Sequence, residues 1–208
     1  MTDVMRYGIY GGSFDPIHWG HLILAETCLR KLSADRIIFV PSGISPHKSK
    51  QHQTPGEIRA EMLELATTGI EEFAVSRFEV EKETTSYTIE TIRHFDETLL
   101  DPELFLLVGA DMYYDLPNWY QSQKILATVI PVGVCRPNSP PPHVEAFQNL
   151  VTPERCELFR RYIVQMPQIE ISSTMIREAI FNDESIRFLT PRSVEAYIKS
   201  HKLYKAPR

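Results

Sequence analysis

The chain has 208 residues, 43% hydrophobic and 24% charged, with 9 Gly, 15 Pro and 3 Cys, an ordinary composition for one globular domain spanning 1–208. Twenty-two Lys and Arg against 27 Asp and Glu leave a formal net charge of −5. That excludes a general electrostatic pull toward nucleic acid or an acidic membrane, so an anionic ligand must be held by a local arrangement. Cys28, Cys135 and Cys156 are odd in number, far apart and without a CxxC spacing, which argues against a disulfide framework or a zinc site. The start MTDVMRYGIYGG lacks a signal-type apolar core, and no apolar stretch approaches the roughly 20 residues of a membrane span. A cytoplasmic, soluble protein is expected.

Val4 to Tyr10 reads as a strand that stops at Gly11-Gly12. A helix follows, with Asp15 as N-cap, Pro16 at its first position, and Leu22, Ala25, Leu29 and Leu32 at helical spacing. Arg36 to Val40 is nearly continuous in apolar residues and reads as a second strand, covered on both faces. Ser42 to Gln53 is polar and reads as a long loop. Thr54-Pro55-Gly56-Glu57 has the form of a capping box opening a helix to about Thr68, with Ile58, Met62 and Leu65 inward. Phe73 to Val80 reads as a strand, and Thr88 to Leu100 as a helix burying Ile89, Ile92, Phe95 and Leu99. Leu104 to Val108 is a strand ending at Gly109-Ala110-Asp111, and Ala127 to Cys135 another. Four prolines between Arg136 and Pro142 force a loop. A strand near Ile163 to Glu170, a helix begun by Ser172-Ser173-Thr174 and a last helix after Thr190-Pro191 complete the chain, the helices from about 172 packing onto the sheet. This alternation predicts an α/β fold, a Rossmann-like doubly wound, mostly parallel sheet with helices on both faces. Ligands of such sheets sit beyond the carboxyl ends of the strands, where the strand order switches.

The segment Gly11 to His21, GGSFDPIHWGH, concentrates the chemistry. Glycines at a strand end let the backbone approach a ligand closely, and the helix behind them offers N–H groups and the positive end of its dipole, as a phosphate requires. With the helix starting at Pro16, His18 and His21 lie on one face of its first turn and can donate to phosphate oxygens without a fixed charge. Gly20 between them costs about 1 kcal/mol relative to alanine, which suits close approach of a backbone or a nucleotide. Taken singly, the glycines read as a turn and the histidines as a partly exposed pair. A zinc reading of His-x-x-His lacks a second Cys/His pair of matching spacing, so no protein-held metal is expected. Near the other terminus ISSTMIR, Ile171 to Arg177, presents three hydroxyls, helix-start N–H groups and Arg177 one turn on. That is a second anion cradle or, alone, an N-cap beside a solvated charge. Two such helix starts facing one another would suit a triphosphate.

GxFDPxHxGH after the first strand, with ISSTxIR near the C-terminus, resembles the nucleotidyltransferase superfamily that carries an HxGH signature. Between them PSGISPHK, SYTIET, GADMYYDLPNWY and VCRP follow in the order seen in the bacterial nicotinate-nucleotide adenylyltransferases, and the resemblance runs nearly the whole length. It implies an enzyme of NAD biosynthesis that transfers AMP from ATP to nicotinate mononucleotide, giving deamido-NAD and pyrophosphate. It implies that Gly11, Gly12, Ser13 and Phe14 line the ATP site and that Gly109 and Asp111 hold the adenosine. His18, His21, Lys48 and Arg177 would serve catalysis on the phosphates, and Ser172, Ser173 and Thr174 would close over the β and γ groups. Thr88, the backbone of Ile89, Trp119 and Tyr120 would hold the acceptor, the indole stacking on a pyridine ring and backbone N–H groups donating to a carboxylate. Mg²⁺ is the implied cofactor, held with ATP mostly by phosphates and water. The expected partners are ATP and a pyridine mononucleotide, without nucleic acid or membrane; a homo-oligomer is left open. Two other readings stand beside this one: an adenylyltransferase for another phosphate acceptor, nicotinamide mononucleotide or phosphopantetheine, and a non-catalytic ATP-binding regulator. RPNSPPP departs from the family's usual short continuation after its Arg-Pro.

Overall fold

A computed structural model describes residues 4–44, 53–135 and 142–205. Among them, β1 (Met5–Gly12), β2 (Arg36–Pro41), β3 (Phe73–Val75), β4 (Pro102–Gly109), β5 (Ile130–Cys135) and β6 (Ile163–Gln165) form one open sheet. Its order is β3-β2-β1-β4-β5-β6, and every pairing is parallel. The helices are α1 (Trp19–Leu32), α2 (Gly56–Thr67), α3 (Thr88–Thr98), α4 (Ala110–Asp115), α5 (Ser122–Thr128), α6 (Pro153–Arg160), α7 (Ser173–Phe181) and α8 (Arg192–Ser200). Parallel neighbours need crossovers, which are right-handed, so the two halves of the sheet are wound in opposite directions and their helices cover both faces. That accounts for strands buried almost throughout: Ile37, Phe39, Val40, Phe105 and Val132 are wholly buried. Ile9 of β1 pairs with Ile38 on one side and Leu106 on the other, so the order reverses between β1 and β4. The glycines ending these two strands, Gly11-Gly12 and Gly109, therefore lie at the switch point.

Several boundaries differ from those expected, each for a local reason. The glycine pair belongs to β1 itself, and α1 starts at Trp19, with His18 as its N-cap residue. Asp15 does not cap the helix, because its carboxylate accepts the N–H of Thr54 at 3.2 Å and the hydroxyl of Tyr204 at 2.6 Å. Pro55, not Thr54, is the N-cap residue of α2, and it has no side-chain cap bond. The buried face of α2 is Arg59, Ala60, Met62, Leu63 and Thr67, while Leu65 is exposed. β3 ends at Val75, since the chain beyond it turns back to meet the segment after β2, where Ser86 N–H bonds to Ile44 O at 3.0 Å. β6 ends at Gln165, and Ala127 and Thr128 belong to α5 rather than to β5; a continuous apolar run carries no period that separates a helix end from a strand start. The short helices α4, α5 and α6 are additions to the expected elements. Ser172 does cap α7, accepting the N–H of Met175 at 3.1 Å.

The helix α8 docks on α2, where Ser193 Oγ donates to the carbonyl of Leu65 at 2.9 Å and Tyr197 Oη donates to Glu61. Cys28, Cys135 and Cys156 are buried and unbridged. Among the described residues, no helix is long and apolar enough to cross a membrane.

After β2 the chain passes so close to the 76–86 segment that a Cβ on Gly43 would lie 2.2 Å from the Glu79 carbonyl oxygen. A backbone atom cannot swing aside as a side-chain tip can. Gly43→Ala is therefore expected to destabilise the protein by about 1–3 kcal/mol, seen as a lower urea midpoint with an unchanged m-value.

Candidate active site

Beyond β1 the chain reverses at Phe14, whose φ of 47° is left-handed. Its buried ring is wedged edge-on against Tyr10, at 5.2 Å, and Phe39, at 5.7 Å. The carbonyls of the turn face other elements: Ser13 O accepts Arg59 Nη1 at 2.7 Å, Asp15 O accepts Arg177 Nη1 at 2.7 Å, Pro16 O accepts Ser173 Oγ at 2.9 Å, and Ile17 O accepts Thr190 Oγ1 at 2.8 Å. Each carbonyl so engaged is one negative pole fewer to oppose an anion at the start of α1.

His18 is buried and His21 half-buried. Their rings stack with centroids 3.7 Å apart, and His21 packs edge-on against Phe14 at 5.0 Å. The Nδ1 of His21 accepts the backbone N–H of His18 at 3.3 Å. What passes close to Gly20 is the imidazole of His18, whose atoms lie 3.0 Å from where a Cβ would be. The glycine thus makes room for a site side chain.

The N-terminus of α7 abuts this turn through bonds between residues 157 and 162 positions apart. The two cradles expected from opposite ends of the chain share one location. Their side chains are partly spent on the protein, however. Ser172 caps its own helix, Ser173 holds Pro16, and Arg177 divides its guanidinium between Asp15 O and Thr174 Oγ1, the latter at 3.2 Å.

Asp15 and Arg59, both buried, lie behind the turn. Arg59 donates to three carbonyls, Ser13 at 2.7 Å, Ser42 at 2.6 Å and Thr54 at 2.9 Å, so one guanidinium ties the turn after β1 to both described flanks of the segment after β2. Burial lowers the pKa of Arg59, and the charge of Asp15 opposes that. Burial, and then the Asp15 carboxylate, push the Tyr204 phenol up.

On the far side of the switch point, Gly109 ends β4 and is the N-cap residue of α4, which carries exposed Asp111 in its first turn. The Tyr120 ring lies 4.8 Å from that of Tyr87, the N-cap residue of α3. This brings half-buried Trp119 and exposed Tyr120 to the helix start that holds Thr88 and Ile89. The first-turn N–H groups of Thr88 and Ile89 have no helical carbonyl to bond, while the Ile89 side chain is buried. Lys48 lies outside the described residues.

Arg59, Tyr204 and Thr190 join the site only in the folded chain. Arg59 alone leaves a signal in the sequence, a charged residue on the same face of α2 as Met62 and Leu63, where an arginine is rarely buried without partners. Tyr204 leaves none, because its partner is 189 positions away.

A family model described as cytidylyltransferase-like matches residues 9–179. A curated relative from Geobacillus thermodenitrificans, named "Probable nicotinate-nucleotide adenylyltransferase", is 39% identical over 205 residues, covering 97% of this chain and 87% of its own. One of the same name from Thermus thermophilus is 38% identical over 201 residues, covering 97% and 100%. The fold is shared with the solved structure of Plasmodium falciparum nicotinic acid mononucleotide adenylyltransferase complexed with NaAD, at a TM-score of 0.73 and 18% identity over 96% of this chain and 97% of that one. With family model and full-length relatives in agreement, the chain belongs to the cytidylyltransferase-like family, among the nicotinate-nucleotide adenylyltransferases.

Proposed function

We propose that the chain transfers AMP from ATP to nicotinate mononucleotide, forming deamido-NAD and releasing pyrophosphate. The observation that carries this is the bonding of the α7 start to the turn before α1 at the switch point, together with a second helix start, that of α3, whose N-cap residue Tyr87 meets the ring of Tyr120. One location suits a triphosphate and the other a pyridine carboxylate.

In this reading a 5′-phosphate oxygen of the mononucleotide attacks the α-phosphorus of ATP in line, and pyrophosphate leaves. The attacking oxygen is already anionic near neutral pH, so no side chain has to act as base. The protein's work is to hold two polyanions together and to stabilise charge gathering on the bridging oxygens. Because Nδ1 of His21 accepts a backbone N–H, the neutral ring carries its proton on Nε2, and it would donate from there to phosphate. His18, stacked against it, would serve as the second imidazole donor. Gly11, Gly12, Ser13 and Phe14 would line the triphosphate with backbone, and Gly109 and Asp111 would hold the adenosine. Since Ser172 and Ser173 are engaged within the protein, contact with the β and γ groups would fall mainly to Thr174, Arg177 and the N–H groups of α7. Lys48 keeps the role the family resemblance gives it, neutralising phosphate charge. The groups that would face the phosphates are imidazole, hydroxyl, guanidinium and N–H, which suit phosphate oxygens rather than a hard cation. Mg²⁺ would therefore enter with ATP on phosphate and water oxygens, supplying further charge neutralisation.

Thr88 and Ile89 would donate N–H groups to the nicotinate carboxylate, with Trp119 stacked on the ring and Tyr120 beside it. A negative group gains from the dipole at the helix start, and a neutral amide does not. The test is turnover on purified nicotinate mononucleotide, nicotinamide mononucleotide and phosphopantetheine side by side, followed by pyrophosphate release. A kcat/KM at least about tenfold higher for the acid is expected, corresponding to about 1.4 kcal/mol of discrimination. Equal or greater efficiency on another acceptor overturns the assignment, and no pyrophosphate with any acceptor overturns enzymatic function.

A further inference from the structure

The start of α3 carries a charge of the wrong sign for an anionic acceptor. Glu90 stands in its first turn, and its Oε2 accepts the N–H of Tyr87 at 3.4 Å. A helix N-terminus is worth about half a positive charge, so one uncompensated carboxylate would turn the local field negative. The same Oε2 also accepts Lys82 Nζ at 3.0 Å. Lys82 is held from a second side, its ammonium lying 4.1 Å from the centroid of the Phe78 ring, which is in turn stacked on His94 at 4.1 Å and 9°. Its side chain is one-quarter exposed and that of Glu90 two-fifths, so the pair is only partly screened by water. Contact with Lys82 holds the Glu90 carboxyl below the usual range, with Arg93 a smaller contributor.

We propose that Lys82 is a specificity-determining residue that acts through Glu90: by cancelling that carboxylate's charge, it lets the start of α3 attract a pyridine carboxylate in preference to the neutral amide. Lys82 need not touch the substrate. It sits in the segment between β3 and α3, and the charge it cancels is one residue along the helix from Ile89. The inference rests on the reading that the acceptor's carboxylate docks on Thr88 and Ile89. It adds that acid preference depends on a charge balance behind that contact.

The test compares Lys82→Met, Glu90→Gln and the double variant in the full-length chain. The readout is the ratio of kcat/KM for nicotinate over nicotinamide mononucleotide, with the amide's inhibition constant replacing its kcat/KM where turnover is too slow. An uncompensated, partly screened carboxylate one residue along the helix from Ile89 is expected to lower the ratio about five- to tenfold in Lys82→Met, through the acid alone. The double variant is expected to return to within about twofold of the parent. Glu90→Gln alone should hold or raise the ratio. An unchanged ratio in Lys82→Met, or a ratio that stays low in the double variant, overturns the proposal, because loss of packing would depress both substrates together. Should Lys82→Met fail to fold, Glu90→Gln and the double variant decide alone, and a fall of the ratio in either refutes it. The parent chain separates the two levels: if the parent does not prefer the acid, the functional reading has failed, whereas a preference that ignores Lys82 and Glu90 sinks only this inference.

Discussion

His21→Ala is expected to lower kcat at least tenfold while its far-ultraviolet spectrum stays that of the parent, and His18→Ala to do the same at a greater cost in stability. The two differ because of where they sit. His21 is half-buried, and its loss removes edge-on contacts with Phe14 and Tyr10, the stack on His18 and an acceptor for the His18 N–H. That is a cap-sized loss of about 1 kcal/mol, or about 2–4 °C in a chain of this size. His18 is 5% exposed, packed against Gly20 and stacked on His21, so its removal leaves a small void as well. The kinetic loss has another origin. A donor aimed at charge that develops in the transition state is worth about 10²–10³ in kcat when it has no substitute, and a second imidazole alongside softens that to the tenfold minimum. Steady-state kinetics with ATP varied at saturating acceptor, together with a thermal melt, check both parts. Near-normal turnover in either variant refutes the role given to these rings.

Arg59→Met is expected to lose about 3 kcal/mol or more of stability, or about 6–12 °C in melting temperature. Its guanidinium is 2% exposed and is shared among the carbonyls of Ser13, Ser42 and Thr54. Removing it leaves polar oxygens away from water and takes positive charge from beside the buried Asp15. Methionine fills the volume, so the loss reports the bonds more than the packing. Arg59→Lys keeps the charge but cannot fork to all of those oxygens, and it should recover only part of the loss. Because Ser13 and Ser42 lead into the two segments expected to meet ATP, KM for ATP should rise in step with the fall in stability. Unchanged melting and an unchanged KM in Arg59→Met would show that the turn holds its shape without this anchor.

The helix α1 shows where local reasoning stops. Its apolar positions Leu22, Ala25 and Leu32 are buried as their spacing requires, because a helix sorts its faces within a few residues. Its start falls later than the sequence suggests, since Asp-Pro before an apolar period is a good cap signal, yet the Asp15 carboxylate is drawn away by Thr54 and Tyr204. The helix α2 departs from its pattern in the same way: Arg59 turns inward because oxygens from two other segments are there to meet it. The serine cluster is legible as a cap, since the Ser172 hydroxyl reaches only three residues along.

By itself the order of residues determined the alternation of strands and helices, the glycine-ended strands and the two helix starts that bear the candidate chemistry, because each depends on neighbours a few positions away. Tertiary structure alone decided that β1 and β4 lie side by side, that Ser173 and Arg177 fasten the turn before α1, and which side chains those fastenings consume. These last depend on partners 157 and 162 positions apart, brought together by the burial of both faces of a parallel sheet, a global condition on which no short window of sequence reports.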